Sequence, residues 1–295
     1  MTDTDPHTET FVSHRNLLFT VAYEILGSAS DAEDVLQESW LRWAEVELGA
    51  VVDQRAYLVR IVTRQALNRL RTLGRRRESY VGPWLPEPLL TAPDIAADVE
   101  LADSVSMAML LVLETLGPTE RAVFVLREVF AFDYAEIAAA VGKTQAAVRQ
   151  IAHRARGHVT ARRPRGTVSA EQTRSVLDAF RRAASTGDLR GLLDLLAPDV
   201  LLVGDGGGIV QALPRPVRGA DRVARVLTSA KVTAVVGLLE PTTANGWPAL
   251  ALRVDGVIDT VLSIHVEAGR ITGIYAVRNP EKLSHMTRAN PLTTW

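Results

Sequence analysis

The chain has 295 residues, 47% of them hydrophobic, with a formal net charge of −1 and no cysteine. That length provides for two or three packed cores, and the missing thiols exclude disulfides, thiolate metal sites and cysteine nucleophiles. Apolar runs such as Met107 to Leu113 fall far short of the roughly 20 residues of a membrane-spanning helix, and the polar start, Met1 to Thr10, does not have the form of a secretory signal, so a cytoplasmic protein without a membrane partner is expected.

Residues 8 to 73 carry helical patterns. Phe11 to Leu26 forms one helix closed by Gly27, and a second is entered through Ser30, with Glu33 at capping-box spacing. On the second helix Ala32, Leu36, Trp40 and Trp43 make one apolar stripe, which assigns both tryptophans to a core, while Asp31, Asp34, Glu38 and Glu45 lie opposite. A third helix begins after Asp53 and buries Leu58, Val62, Ala66, Leu70 and Leu73; Arg60, Arg64, Asn68, Arg71 and Arg75 share its other side. From Gln54 to Arg77 there are eight arginines and no acid. A near-neutral average therefore conceals local patches, and such patches decide whether a protein can hold a phosphate backbone.

The stretch from Arg75 to Pro93 contains four prolines and a glycine, which predicts an extended linker; Tyr80 and Trp84 predict that it docks on something. Helices are expected again from Ile95 to Leu116 and, past Gly117-Pro118, to about Arg163. Within that region Asp133 and Glu136 open a short helix to Ala140, Val141-Gly142-Lys143 makes a turn, and Thr144 caps a longer helix. Val148, Ile151, Ala152, Ala155 and Val159 are spaced to pack inward. Gln145, Arg149, His153 and Arg156 form an outward row, with Lys143, Thr144, Gln150 and Arg154 beside it. Between Glu136 and Glu171 there is no acid. Arginine suits guanine, glutamine suits adenine, and a helix N-terminus suits phosphate, so this helix-turn-helix has the chemistry of a major-groove reader.

After residue 170 two helices, Glu171 to Ala184 and Leu189 to Leu196, precede runs of strand type: Val200 to Val203, Val232 to Leu239, Ala249 to Val254, Thr260 to Val266 and Ile271 to Val277. Turns are read at Asp205 to Gly208, Asn245-Gly246, Asp255-Gly256 and Gly269-Arg270. This predicts an α+β domain with a curved antiparallel sheet.

Three segments together resemble the bacterial RNA polymerase sigma factors of the extracytoplasmic-function group. They are DAEDVLQESWLRW (Asp31 to Trp43), the arginine-striped third helix, and LGPTERAVFVLREVFAFDYAEIAAAVGKTQAAVRQIAHRAR (Leu116 to Arg156). The resemblance implies a region 2-like domain over 1–76 and a region 4-like helix-turn-helix domain over 94–166, joined by a proline-rich linker over 77–93. It implies that Asp31, Asp34, Gln37, Glu38 and Leu41 engage core RNA polymerase. By the same resemblance the helix-turn-helix reads the upstream promoter element, and Arg55, Arg60, Arg64, Asn68 and Arg71 meet the downstream one.

The motifs YVGPWLPEP (Tyr80 to Pro88), DGGGIV (Asp205 to Val210) and NPEKL (Asn279 to Leu283) narrow the likeness to the subgroup with a C-terminal SnoaL-like, NTF2-superfamily extension over 167–295. The expected architecture is thus multidomain: two all-α domains followed by an α+β cone. In that subgroup the extension is taken to control activity from within the chain, without a dedicated anti-sigma factor. Tyr80, Pro83 and Trp84 of the linker, Asp205, Gly206, Gly207 and Gly208 of the loop, and Asn279 and Pro280 are the expected regulatory interdomain residues. The cone leaves a small-molecule ligand open.

SnoaL-like relatives include enzymes that use a buried carboxylate, and Asp205, Asp255, Asp259 and His265 are the residues to weigh. Asp205 and Asp255 precede glycines, the composition of turns, and His265 shares a strand face with Val261 and Ser263. No catalytic residue, metal or cofactor is expected. Two alternatives stand beside the sigma reading: a ligand-responsive stand-alone DNA-binding regulator, and a SnoaL-like enzyme fused to a DNA-binding half.

Overall fold

A computed structural model describes residues 5–91, 99–162, 168–287, 290, 292 and 293. The chain divides into two compact units, one formed by Met1–Glu78, Leu110–Arg163 and Pro291–Trp295, the other by Ser79–Met109 and Pro164–Asn290.

In the first unit, α1 (Pro6–Leu26) ends on Gly27 in the left-handed conformation (φ 68°), where the absent Cβ removes the steric penalty. The next helix, α2 (Ala29–Trp43), is capped by Ser28, whose hydroxyl accepts from the Asp31 amide at 3.1 Å. The cap therefore falls two residues before the expected Ser30. Trp43 is fully buried and donates its indole N–H to the His7 carbonyl at 2.9 Å, whereas Trp40 is half-buried against Phe11. α3 (Gln54–Glu78) runs past the expected end at Leu73, so the linker starts at Ser79. The reason is local: Gly74 and the arginines after it tolerate a helix, and the first proline comes only at Pro83. These helices pack on one another, burying Leu58, Val62, Ala66, Leu70 and Leu73 as their spacing predicts.

The same unit contains α6 (Pro118–Phe124), a single π turn (Val125–Val129), α7 (Tyr134–Val141) and α8 (Gln145–Arg162). α6 contributes Arg121, whose buried guanidinium donates to the Glu24 carbonyl at 2.9 Å and to Glu114 at 2.6 Å. Burial pushes this guanidinium down to about 10. Before it, α4 (Val99–Ser104) and α5 (Met107–Leu113) replace the single helix expected from Ile95; residues 92–98 of that expectation lie outside the described ones.

The second unit is built on a six-stranded sheet of order β2-β1-β6-β5-β4-β3. Its strands are β1 (Leu196–Asp205), β2 (Val217–Arg218), β3 (Glu240–Ala244), β4 (Trp247–Val254), β5 (Val257–Glu267) and β6 (Arg270–Val277). β1 and β6 pair in parallel, so the sheet is mixed rather than antiparallel. Helices α9 (Ala170–Thr186), α10 (Leu189–Leu195), α11 (Ala220–Leu227) and α12 (Ala230–Gly237) contribute to the apolar core on one face with Leu202, Leu262, Ile264 and Ile274. α13 (Pro280–Leu283) follows the last strand.

The run 232–239, expected as a strand, is mostly α12. Its valines have strand propensity, but Val232, Val236 and Leu239 fall at helical spacing on the core, and packing outweighs the weak propensity. The hairpin turns at Asn245-Gly246 and Asp255-Gly256 have positive φ at both residues, the type that matches strand twist. The third such turn lies at Ala268-Gly269, one residue before the expected position.

Candidate functional site

In the helix-turn-helix, Asp133 accepts from the Ala135 and Glu136 amides at 2.7 and 2.8 Å while Glu136 returns to the Asp133 amide at 3.0 Å. This reciprocal cap, worth about 1 kcal/mol, starts α7. Gly142 (φ 68°) turns the chain, and Thr144 caps α8 through the Ala147 amide at 3.2 Å. Val148, Ile151, Ala152, Ala155 and Val159 are buried, and Lys143, Thr144, Gln145, Arg149, Gln150, His153, Arg154 and Arg156 are exposed. Two of these cations are already engaged: Arg156 makes a two-pronged pair with Glu128 at 2.7 and 3.1 Å, and Arg154 lies 3.9 Å from Glu120. Arg149 rests over the Tyr134 ring at 5.4 Å. The row can therefore present guanidiniums and an amide to a groove, with Arg156 exchanging a carboxylate for a phosphate.

On α2 the acidic residues are not equivalent. Asp31 is buried and receives Arg69 Nε at 2.6 Å, and Asp34 receives the same guanidinium at 2.5 Å. Glu38 accepts from Gln65 at 2.9 Å. Gln37, Glu38 and Leu41 are exposed, and Leu41, at 66%, is one of the most exposed large apolar side chains of this unit. An exposed leucine beside exposed polar groups suits a protein partner.

On α3, Arg42 of α2 joins Tyr57, Arg60 and Arg64 around one groove. Arg60 stacks on Tyr57 at 4.5 Å, and Arg71 donates to Asn68 at 2.8 Å. Arg64 donates to the carbonyls of Ala139 and Ala140 at 2.8 and 3.3 Å, satisfying the open end of α7, and Arg55 lies over the Phe132 ring at 4.6 Å. Arg42 and Tyr57 were not among the expected residues, although an aromatic next to arginines is the signal that marks a site for unstacked bases.

The linker and the C-terminal domain meet at Asp205. This carboxylate, fully buried at the end of β1, accepts from the Tyr80 hydroxyl at 2.5 Å, the Leu85 amide at 2.9 Å, the Gly207 amide at 3.1 Å and Lys282 Nζ at 2.8 Å. Lys282 also donates to the Leu85 carbonyl at 2.5 Å and lies 3.2 Å from the centre of the Trp84 ring. Asn279 donates to the Tyr80 oxygen at 2.9 Å and caps α13 at the Glu281 amide, the residue after Pro280. Burial, then the bond to Asp205, pushes the Tyr80 hydroxyl well above its usual range.

The glycines matter here. A Cβ on Gly207 would lie 2.4 Å from Asn279 Nδ2, and one on Gly206 would lie 2.3 Å from the Val210 carbonyl oxygen. Farther along, Leu89 and Asn245, and Ala102 and Trp247, are hydrogen-bonded as well. The expected regulatory residues are thus brought together; the cation at their centre, Lys282, was not among them. The KL of NPEKL carried the signal, since a buried carboxylate needs a counter-charge.

The residues weighed for catalysis have structural partners. Asp259 pairs with Arg278 at 3.1 Å; the hydrogen bonds from Thr260 and Arg278 outweigh desolvation, its largest single influence, and hold its carboxyl below the usual range. Asp255 is exposed at a hairpin tip. His265 lies on the sheet face opposite the apolar core, 3.4 Å from Glu267, and burial pushes its imidazole down despite the attraction of Glu267 and Asp103.

A capped helix-turn-helix and an arginine-lined helix, beside a polymerase-type acidic face, define a promoter-binding transcription protein. Family models for sigma-70 region 2 and sigma-70 region 4 match residues 10–76 and 106–159. The chain is 35% identical to the ECF RNA polymerase sigma factor SigJ of Mycobacterium tuberculosis, covering 93% of this chain and 92% of SigJ. It is 34% identical to the probable ECF RNA polymerase sigma factor SigI of the same species, over 96% of this chain and 97% of SigI. The crystal structure of SigJ superimposes with a TM-score of 0.76 at 34% identity, covering 94% of this chain and 98% of that one. The chain belongs to the extracytoplasmic-function RNA polymerase sigma factors.

Proposed function

We propose that this sigma factor, which joins core RNA polymerase and promoter DNA as its family does, is controlled in cis by its C-terminal SnoaL-like domain through the Asp205 cluster. The observation that carries this reading is the fourfold engagement of one buried carboxylate by the linker, its own loop and Lys282. The linker lies in sequence between the region 2-like and region 4-like modules, proposed over 1–76 and 94–166. Whatever fixes it restrains the reach of both modules along DNA.

Lys143, Thr144, Gln145, Arg149, Gln150, His153, Arg154 and Arg156 are proposed to read the upstream element. Arg55, Arg60, Arg64, Asn68 and Arg71 are proposed to meet the downstream one, and Asp34, Gln37, Glu38 and Leu41, braced through Asp31, to meet the polymerase. Arg64 and Arg55 exchange their bonds to α7 and Phe132 for DNA in that state.

The C-terminal domain (167–295) acts by binding rather than catalysis: its candidate carboxylates are already paired or exposed at a turn. Apolar side chains fill the helix-covered face of its sheet, which favours a regulatory body over a ligand-holding cone. Among the described residues no helix is long and apolar enough to cross a membrane, and action where polymerase and DNA reside, in the cytoplasm and without a dedicated anti-sigma factor, fits this reading.

Run-off transcription by bacterial core polymerase from pooled promoter fragments tests the proposal. The full chain yields discrete start sites absent with core alone, and Arg149→Ala removes them. Discrete starts that survive both Arg149→Ala and Gln145→Ala would assign promoter reading to other residues.

A further inference from the structure

Arg218 in β2, Arg222 and Arg225 on α11, and Arg270 at the start of β6 line one open groove of the C-terminal domain, around Gly219 and Asp221. All four are exposed. Their printed hydrogen bonds leave their charge uncompensated: Arg225 donates to the Asp221 carbonyl at 3.1 Å and Arg270 to the Leu196 carbonyl at 3.3 Å. Arg15, Arg69, Arg121, Arg156 and Arg278 each have a carboxylate partner within ion-pair distance. Among the described residues, none of the four groove arginines has one.

Three features select the occupant. Arginine's planar fork matches phosphate oxygens and forms two parallel bonds to them. The lining holds no aromatic ring on which a base could stack, so bases are not what it reads. The four donors are solvated and spread along an open groove, an arrangement that gains little from one small anion but gains from a polyanion that displaces counterions at several points. The domain is also covalently tied to a promoter-binding protein, so duplex DNA is present at high effective concentration whenever the helix-turn-helix is bound.

We propose that this arginine groove is a second, sequence-independent DNA contact that takes the phosphate backbone of duplex lying beyond the upstream element. The inference rests on the sigma reading but not on the Asp205 cluster.

The test uses holoenzyme assembled from the full chain and a promoter that the wild-type holoenzyme transcribes, so failure of promoter recognition is seen separately. Affinity is measured across a salt series for a duplex ending at the upstream element and for one extended by about two helical turns. With R222Q/R225Q the extended duplex loses its advantage, and the salt slope falls by about 1.8, roughly 0.9 for each phosphate released. R222K/R225K restores the slope, because a phosphate contact needs charge more than shape. The control R174Q/R253Q, which removes two exposed arginines outside the groove, retains it.

An unchanged slope with R222Q/R225Q, or equal losses with the control or on the shorter duplex, would overturn the proposal. So would a loss in core-polymerase binding with DNA affinity intact, which would assign the groove to an acidic protein surface. Thermal unfolding of each variant confirms that these exposed substitutions leave the fold in place.

Discussion

Helix α8 and the Asp205 cluster both gather charged side chains, but they treat them in opposite ways. On α8 the cations stand in water, where a carboxylate partner is worth little and can be exchanged for a phosphate. At Asp205 the charges are buried, with Lys282 and Asp205 4% and 0% exposed, so each depends on the other. The first arrangement costs little to disturb and serves an external partner. The second is costly to disturb and serves the chain itself.

The comparison breaks most severely at Lys282. Lys282→Met leaves the Asp205 carboxylate buried without its counter-charge and is expected to cost about 3–5 kcal/mol, read as a lowered denaturant midpoint. A loss below about 1 kcal/mol would mean that the cluster is solvated. Arg149→Ala is the counterpart on α8: promoter affinity should fall about tenfold or more while the midpoint stays within about 0.5 kcal/mol of wild type. Binding and stability titrations on the same two variants should thus give opposite patterns.

Tyr80 sharpens the contrast through pH. Its hydroxyl is held above the model value of 10.0, so the unfolded chain gives up this proton first. The contribution is therefore complete below pH 10 and declines as pH rises beyond it. Tyr275, pushed up to about 12 by burial and by Glu267, adds to the same decline. Tyr80→Phe should reduce the alkaline slope and cost about 1 kcal/mol at neutral pH, which a urea series between pH 8 and about 11 measures. The smallest effect is expected at Arg64: its bonds to Ala139 and Ala140 are partly solvated, so Arg64→Ala should cost under about 1 kcal/mol while lowering run-off output.

The same contrast explains what could be read from the chain. The α8 row was legible because helical period alone separates Val148, Ile151 and Val159 from Gln145, Arg149 and His153. The linker's docking was legible only as a motif; that Lys282 completes it depends on residues 80, 205 and 282 meeting in space, which no local period encodes. α12 was misread for a related reason, since Val232 to Leu239 has the composition of a strand and is made helical by its neighbours in the core. α11 and the two-residue β2 lacked a signal of that kind, and with them the arginine groove stayed hidden. Asp31 shows the converse: its place on an acidic face was legible, but its burial beneath Arg69 was not.

The most direct test of control through the linker is one substitution followed by two readings. In Asp205→Ala, hydrogen exchange at the Leu85 amide reports whether the linker has been released, and run-off transcription by core polymerase reports output from unchanged start sites. The account predicts that the Leu85 amide loses protection and that output changes with it. A released Leu85 amide with output identical to wild type would contradict it.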